Sequence, residues 1–139
     1  MEGQKYGWPD VSGKDEVRMV GAVFDTNILI DYLNGVEQAK IELGKYSYKA
    51  ISLITWMEVR VGATQETDKI MLHFLNDFDS LTIDERVCDV AVTLRRQYKI
   101  KLPDAIVWAT AQVNKRLLVT RNTKDYPYDE PGIRVPYHI

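Results

Sequence analysis

Four acidic residues of this chain, Asp25, Glu58, Asp104 and Asp125, stand where a carboxylate can do chemistry. Asp25 directly follows the apolar run Val20-Gly21-Ala22-Val23-Phe24. Glu58 lies inside Ile54-Thr55-Trp56-Met57-Glu58-Val59, Asp104 opens an apolar stretch after Pro103, and Asp125 closes Thr120-Arg121-Asn122-Thr123-Lys124-Asp125. Side-chain oxygens alone, in an open crevice, suit hard cations such as Mg²⁺ or Mn²⁺, which prefer oxygen ligands and keep several waters. One or two cations held by such a set could activate a water and relieve negative charge as it develops on bound oxygens, which is the chemistry of a metal-assisted hydrolysis. Sequence alone leaves open whether one ion or two would be held. His73 and His138 have no ligand-like spacing, and the lone Cys88 excludes an internal disulfide, a zinc knuckle and a CxxC redox motif. Cys88 reads as an inert thiol, buried or at a helix edge.

Each acid also has a plain structural reading. Asp25 could cap the next helix or form an Asx turn, and Asp104 could complement the positive end of its helix dipole. Glu58 resists this, because a charged group in an apolar helix is an expensive core residue without a partner or cation. Asp31, two turns into its helix, reads as a solubilising residue.

The elements that must position these residues alternate. Residues 20–24 read as a strand, 28–33 as a helix closed by Asn34-Gly35, 36–43 as a helix stopped by Gly44, and 48–53 as a second strand. Helices follow over 55–63, 68–78 and 84–98, with a short strand near 80–83 and Val87, Val90, Ala91, Leu94 and Tyr98 at helical spacing. Pro103 opens a helix to about residue 115 that is apolar on nearly every side; Leu117-Leu118-Val119 is a third strong strand. Ile133, Val135 and Tyr137 alternate toward the end, where Pro136 restricts a closing strand to an edge. The expectation is a three-layer α/β/α fold around a mainly parallel sheet of four to five strands. In such a sheet the functional crevice lies beyond the carboxyl ends of the strands, where these acids fall.

At 139 residues, with 45% hydrophobic and 27% charged residues, the composition is that of one ordinary globular domain. No apolar run approaches the roughly 20 residues that cross a bilayer, and a cytoplasmic protein is expected. Residues 1–18, rich in Gly and alternating charge, read as an N-terminal extension before a domain over 19–139; an upstream misassigned start and a real appendage are both open readings. The net charge of −2 argues against a broad basic nucleic-acid grip, so any such contact must be local.

Four segments together resemble a known family: Val23-Phe24-Asp25-Thr26-Asn27-Ile28-Leu29-Ile30-Asp31, Ser52-Leu53-Ile54-Thr55-Trp56-Met57-Glu58, Leu102-Pro103-Asp104-Ala105-Ile106-Val107, and Leu118-Val119-Thr120-Arg121-Asn122-Thr123-Lys124-Asp125-Tyr126. In order and spacing they are similar to the successive signatures of PIN-domain ribonucleases, in particular VapC toxins of VapBC toxin–antitoxin pairs. The resemblance implies a homodimer that cleaves RNA with Mg²⁺ or Mn²⁺ and is restrained by a cognate antitoxin. It places the family's acids on Asp25, Glu58 and Asp104, with Asp25 as bridging candidate were two ions held. The fourth position is offered by Asp125 and the weaker ligand Asn122, and Thr26, Asn27 and Thr120 match supporting positions. Arg60, Arg121 and Lys124 are candidate RNA contacts, whereas Arg95, Arg96, Lys99 and Lys101 read as a solvated helix end. Tyr32, Leu33, Trp56 and Tyr46 are candidates for an apolar docking surface. Rival readings are a PIN-family RNA-processing or structure-specific nuclease and a catalytically silent PIN-like binding module.

Overall fold

A computed structural model describes residues 19–139, so the expected N-terminal extension lies outside the described residues. Five strands form one sheet: β1 (Met19–Phe24), β2 (Tyr46–Ser52), β3 (Asp79–Leu81), β4 (Leu117–Val119) and β5 (Ile133–Arg134). Their order is β3-β2-β1-β4-β5 and every pairing is parallel. Helices α1 (Thr26–Leu33), α2 (Glu37–Leu43), α3 (Leu53–Val61) and α4 (Asp68–Leu75) fill the crossovers from β1 to β2 and from β2 to β3. Helices α5 (Glu85–Tyr98) and α6 (Leu102–Val113) fill the crossover from β3 to β4.

Alternation along the strands explains the three layers. Ala22, Phe24, Ile51, Leu117 and Val119 pack on one face with Ile28, Leu29, Leu43, Val59 and Leu75 of α1–α4. Their neighbours Val23, Ala50 and Leu118 point the other way, into a core shared with Val87, Ala91 and Leu94 of α5 and Ala105, Trp108 and Ala109 of α6. A strand buried on both faces must be apolar at every position, which is why β1 and β4 show no polar alternation. Growth of the sheet reverses after β3: the chain returns across β2 and β1 to lay β4 on the far side of β1. With right-handed crossovers, reversing direction puts the connecting helices on the opposite face, as observed for α5 and α6. The reversal leaves a crevice between the carboxyl ends of β1 and β4.

Several boundaries differ from the sequence expectation. The expected closing strand over 132–139 shrinks to Ile133–Arg134 at the sheet edge, because only Leu118 and Val119 of the short β4 remain to pair with it. Helix α4 stops at Leu75, capped by Asn76, and Phe78 enters the core from the following turn. Tyr46, expected on a docking surface, is instead fully buried in β2, where its ring meets Phe24 edge to face with centroids 5.3 Å apart. No described helix is long and apolar enough to cross a membrane.

Candidate active site

Asp25 sits where β1 ends and α1 begins. It is the N-cap of α1, its Oδ1 accepting the Thr26 N–H at 2.9 Å, so the plain capping role is real. Its backbone N–H donates to the Val119 carbonyl at 2.9 Å, which pins the end of β1 to β4. Its second oxygen accepts the Thr120 hydroxyl at 2.8 Å and the Asn27 amide at 3.1 Å. The Thr120 hydroxyl in turn accepts Asn27 Nδ2 at 3.2 Å and the Asn122 N–H at 3.0 Å. One buried threonine thus ties β1, α1 and the loop after β4 around a single carboxylate.

The other acids lie within electrostatic reach of Asp25 or of one another. Glu58 projects from the second turn of α3 and is exposed, so the expectation of a costly core charge is wrong; the apolar residues around it turn other faces of the helix inward. Its Oε1 accepts the Thr26 hydroxyl at 2.6 Å, and the same hydroxyl lies 3.2 Å from that of Thr55. Asp104 stands in the first turn of α6 beside Pro103, half-buried. Asp125 is held by a reciprocal pair: its N–H donates to Asn122 Oδ1 at 3.1 Å, and Asn122 Nδ2 donates to its Oδ2 at 3.0 Å. That exchange occupies both ends of the Asn122 amide and makes Asn122 the holder of Asp125.

Electrostatics report how closely these groups are gathered. Burial pushes the Asp25 carboxyl up to about 6, opposed by the hydrogen bonds from Thr120 and the Thr26 N–H and reinforced by the charges of Asp104 and Glu58. Asp104 is raised as well, first by burial and then by Asp125 and Glu58, while Lys101 pulls it down. Tyr126, buried against the same cluster, lies within electrostatic reach of all four acids and donates its hydroxyl to the Asp104 carbonyl at 3.1 Å.

The basic candidates are differently placed. Lys124 is exposed. Arg60 binds Asp68 through Nε at 3.1 Å and Nη2 at 2.8 Å while stacking 4.7 Å over the Trp56 ring. Arg121 binds Asp31 through two bonds, and Asp31 is only 5% exposed, so it is not the solubilising residue expected. Sequence reasoning does not find Asp31, Thr55, Lys101 or Tyr126 as neighbours of the site; only the place of Tyr126 directly after Asp125 gives a signal.

A family model described as the PIN domain matches residues 22–129. The chain belongs to the PIN domain family. Over 85% of its length it is similar to a chain of a toxin–antitoxin complex from Klebsiella pneumoniae, with 47% identity, a TM-score of 0.81 and 99% of that chain covered. The fold is also that of FitAcB from Neisseria gonorrhoeae (22% identity, TM-score 0.71, 85% of this chain and 99% of that one). DNA-bound VapBC from Salmonella typhimurium shares it too (22% identity, TM-score 0.67, 84% and 96%). No curated protein matches. This PIN domain accordingly shares its fold with a chain of a toxin–antitoxin complex.

PIN domains generally use divalent metal ions. Among the described residues no three Asp, Glu, His or Cys side chains stand close enough together to hold a metal ion as they are placed. The donor set of this PIN domain nevertheless fits Mg²⁺ or Mn²⁺: it is all oxygen, and an open arrangement leaves positions for the waters these ions retain. The raised Asp25 and Asp104 point the same way, since a cation among mutually repelling carboxylates restores their charged forms.

Proposed function

We propose that this PIN domain is a metal-dependent endoribonuclease and the toxin of a type II toxin–antitoxin pair. The observation that carries this reading is that Asp25, Glu58, Asp104 and Asp125 are linked electrostatically, with Asp25, at the end of β1, pushed up to about 6 first by burial and then by Asp104 and Glu58. Asp25, Glu58, Asp104 and Asp125 are the ligands in this proposal. When bound, Mg²⁺ or Mn²⁺ would supply the positive charge that lowers the pKa of a water and relieves the phosphoryl oxygens. The chain's own part is to hold the carboxylates in place. Thr120 and Asn27 aim Asp25, Thr26 aims Glu58 and Asn122 aims Asp125.

For the substrate we propose RNA, met locally by cations at the rim, because a net charge of −2 provides no general attraction. Lys124 and Lys101 are the rim cations in this reading. Arg60 and Arg121 drop from the contact set because Asp68 and Asp31 occupy their guanidinium groups. The Klebsiella relative is a toxin–antitoxin complex, which supports an antitoxin partner here, and we extend the proposal to a homodimer acting in the cytoplasm.

The test is cleavage of a labelled cellular RNA pool by the purified, antitoxin-free protein with Mn²⁺, with EDTA, and with an Asp25→Asn control. Discrete metal-dependent products missing from the control are the expected result, and their ends identify the target. Equal silence of both proteins across Mg²⁺ and Mn²⁺ would move the binding-module reading ahead.

A further inference from the structure

Two carboxylates of the α1–α2 hairpin are buried away from the four acids, and each is gripped by an arginine from the last third of the chain. Asp31 accepts Arg121 Nε at 2.6 Å and Nη2 at 2.9 Å, together with the Tyr137 hydroxyl at 2.8 Å. Glu42, 2% exposed, accepts Arg134 Nε at 2.7 Å and Nη2 at 3.0 Å, together with the Tyr46 hydroxyl at 2.8 Å. Two parallel bonds to a planar guanidinium define direction as well as charge balance.

The two clamps differ in what hangs from them. Arg134 belongs to the edge strand β5. Arg121 is the first residue after Thr120 in the loop that bears Asn122 and Asp125, and bonds run from it without a break. Its N–H donates to Asn27 Oδ1 at 3.1 Å, the next N–H to the Thr120 hydroxyl at 3.0 Å, and Asn122 then exchanges two bonds with Asp125. A shift of the Arg121 backbone would therefore reach Asn27 and Thr120 behind Asp25, and Asn122 behind Asp125.

We propose that Asp31, acting through Arg121, is a positioning residue that sets the loop over 120–125 and so the geometry in which Asp25 and Asp125 receive a divalent cation. The metal half of this rests on the nuclease reading of the site; the loop half does not. Glu42, which is tied to Arg134 and also pairs with Lys45 at 3.3 Å, is the internal control.

Hydrogen exchange in EDTA tests the clamp on the full chain without metal or substrate. In Asp31→Asn, the amides of Arg121, Asn122 and Asp125 are expected to exchange about tenfold faster, the factor that goes with losing one charge-assisted hydrogen bond. Amides of β1 are expected to keep their protection, and Glu42→Gln is expected to leave the three loop amides as in wild type. Titration with Mn²⁺, read as the rise in melting temperature, is then expected to need about tenfold more ion for Asp31→Asn than for Glu42→Gln. If Asp31→Asn fails to fold, Arg121→Gln removes the same pair from its more exposed partner. Equal acceleration of the loop amides in Glu42→Gln, or unchanged loop amides in Asp31→Asn, overturns the clamp. Faster loop exchange with unaltered Mn²⁺ response overturns the positioning role. A wild type that ignores Mn²⁺ sinks the nuclease reading, and exchange alone then decides the clamp.

Discussion

Asp25 caps a helix, links two strands and carries the most perturbed carboxyl of the acidic cluster, and its titration can be separated from its structural work. Its folded value of about 6 lies above the ordinary 3.8, so between those values the folded protein binds more protons than the unfolded chain. Stability contributed by this group is therefore greatest below about pH 4, is lost as pH rises toward 6, and stays lost above it. The distance between the two values corresponds to roughly 3 kcal/mol. In EDTA, Asp25→Asn is expected to flatten the fall in stability between pH 4 and 6 seen in wild type, as measured by urea unfolding. Above pH 7 the variant gains less than the full amount, because its amide NH₂ faces the Asn27 donor that Oδ2 had accepted. An Asn variant with the wild-type pH slope would assign the slope to other groups. At this scale the places of the acids after strands are legible in the sequence, but their partners are not. The burial argument that singles out Glu58 is overturned by its exposure, and the role of Asp31 is hidden because Arg121 is 90 residues away along the chain.

Elements are legible where local physics decides them. Apolar runs bounded by turn residues mark β1 and β4, Pro103 marks the start of α6, and Gly44 and Gly62 mark the ends of α2 and α3. Lengths set by tertiary pairing are not legible. Strand β5 is two residues long because the pairing strand β4 offers no more, although Ile133, Val135 and Tyr137 keep the alternation of a longer strand. The cap of α3 is also missed by sequence reasoning, and it bears on function because α3 presents Glu58. Ser52 is fully buried, its hydroxyl accepts the Ile54 N–H at 3.1 Å, and its β conformation turns strand into helix. Ser52→Ala is expected to cost about 1 kcal/mol in thermal or urea unfolding, the usual worth of an N-cap hydroxyl. Trp108 probes the opposite layer: it is 2% exposed and packs between Tyr98 and Tyr126, so Trp108→Ala is expected to cost about 3 to 5 kcal/mol. A loss below about 1 kcal/mol in that variant would mean that α6 is not a packed support for Asp104.

For the molecule as a whole, the doubly wound topology puts like charges at the point where packing is least able to compensate them. Asp25, Asp104 and Glu58 repel one another in the crevice at the reversal between β1 and β4, and Lys101 offsets this only at Asp104. A divalent ion that binds there and not to the unfolded chain must stabilise the fold by mass action. At about one hundred times its dissociation constant the gain is roughly 2.7 kcal/mol. In a domain of this size that raises the melting temperature by roughly 8 °C. The expected result is such a rise for wild type in Mn²⁺ and none for an Asp25→Asn/Asp104→Asn double variant, followed by differential scanning fluorimetry. The variant should also start from a higher melting temperature than metal-free wild type near pH 8, since two repelling charges are gone. An equal rise in both proteins would place the ion elsewhere on this acidic surface. No rise in either would leave the raised carboxyls of Asp25 and Asp104 without the counter-charge that the nuclease reading requires.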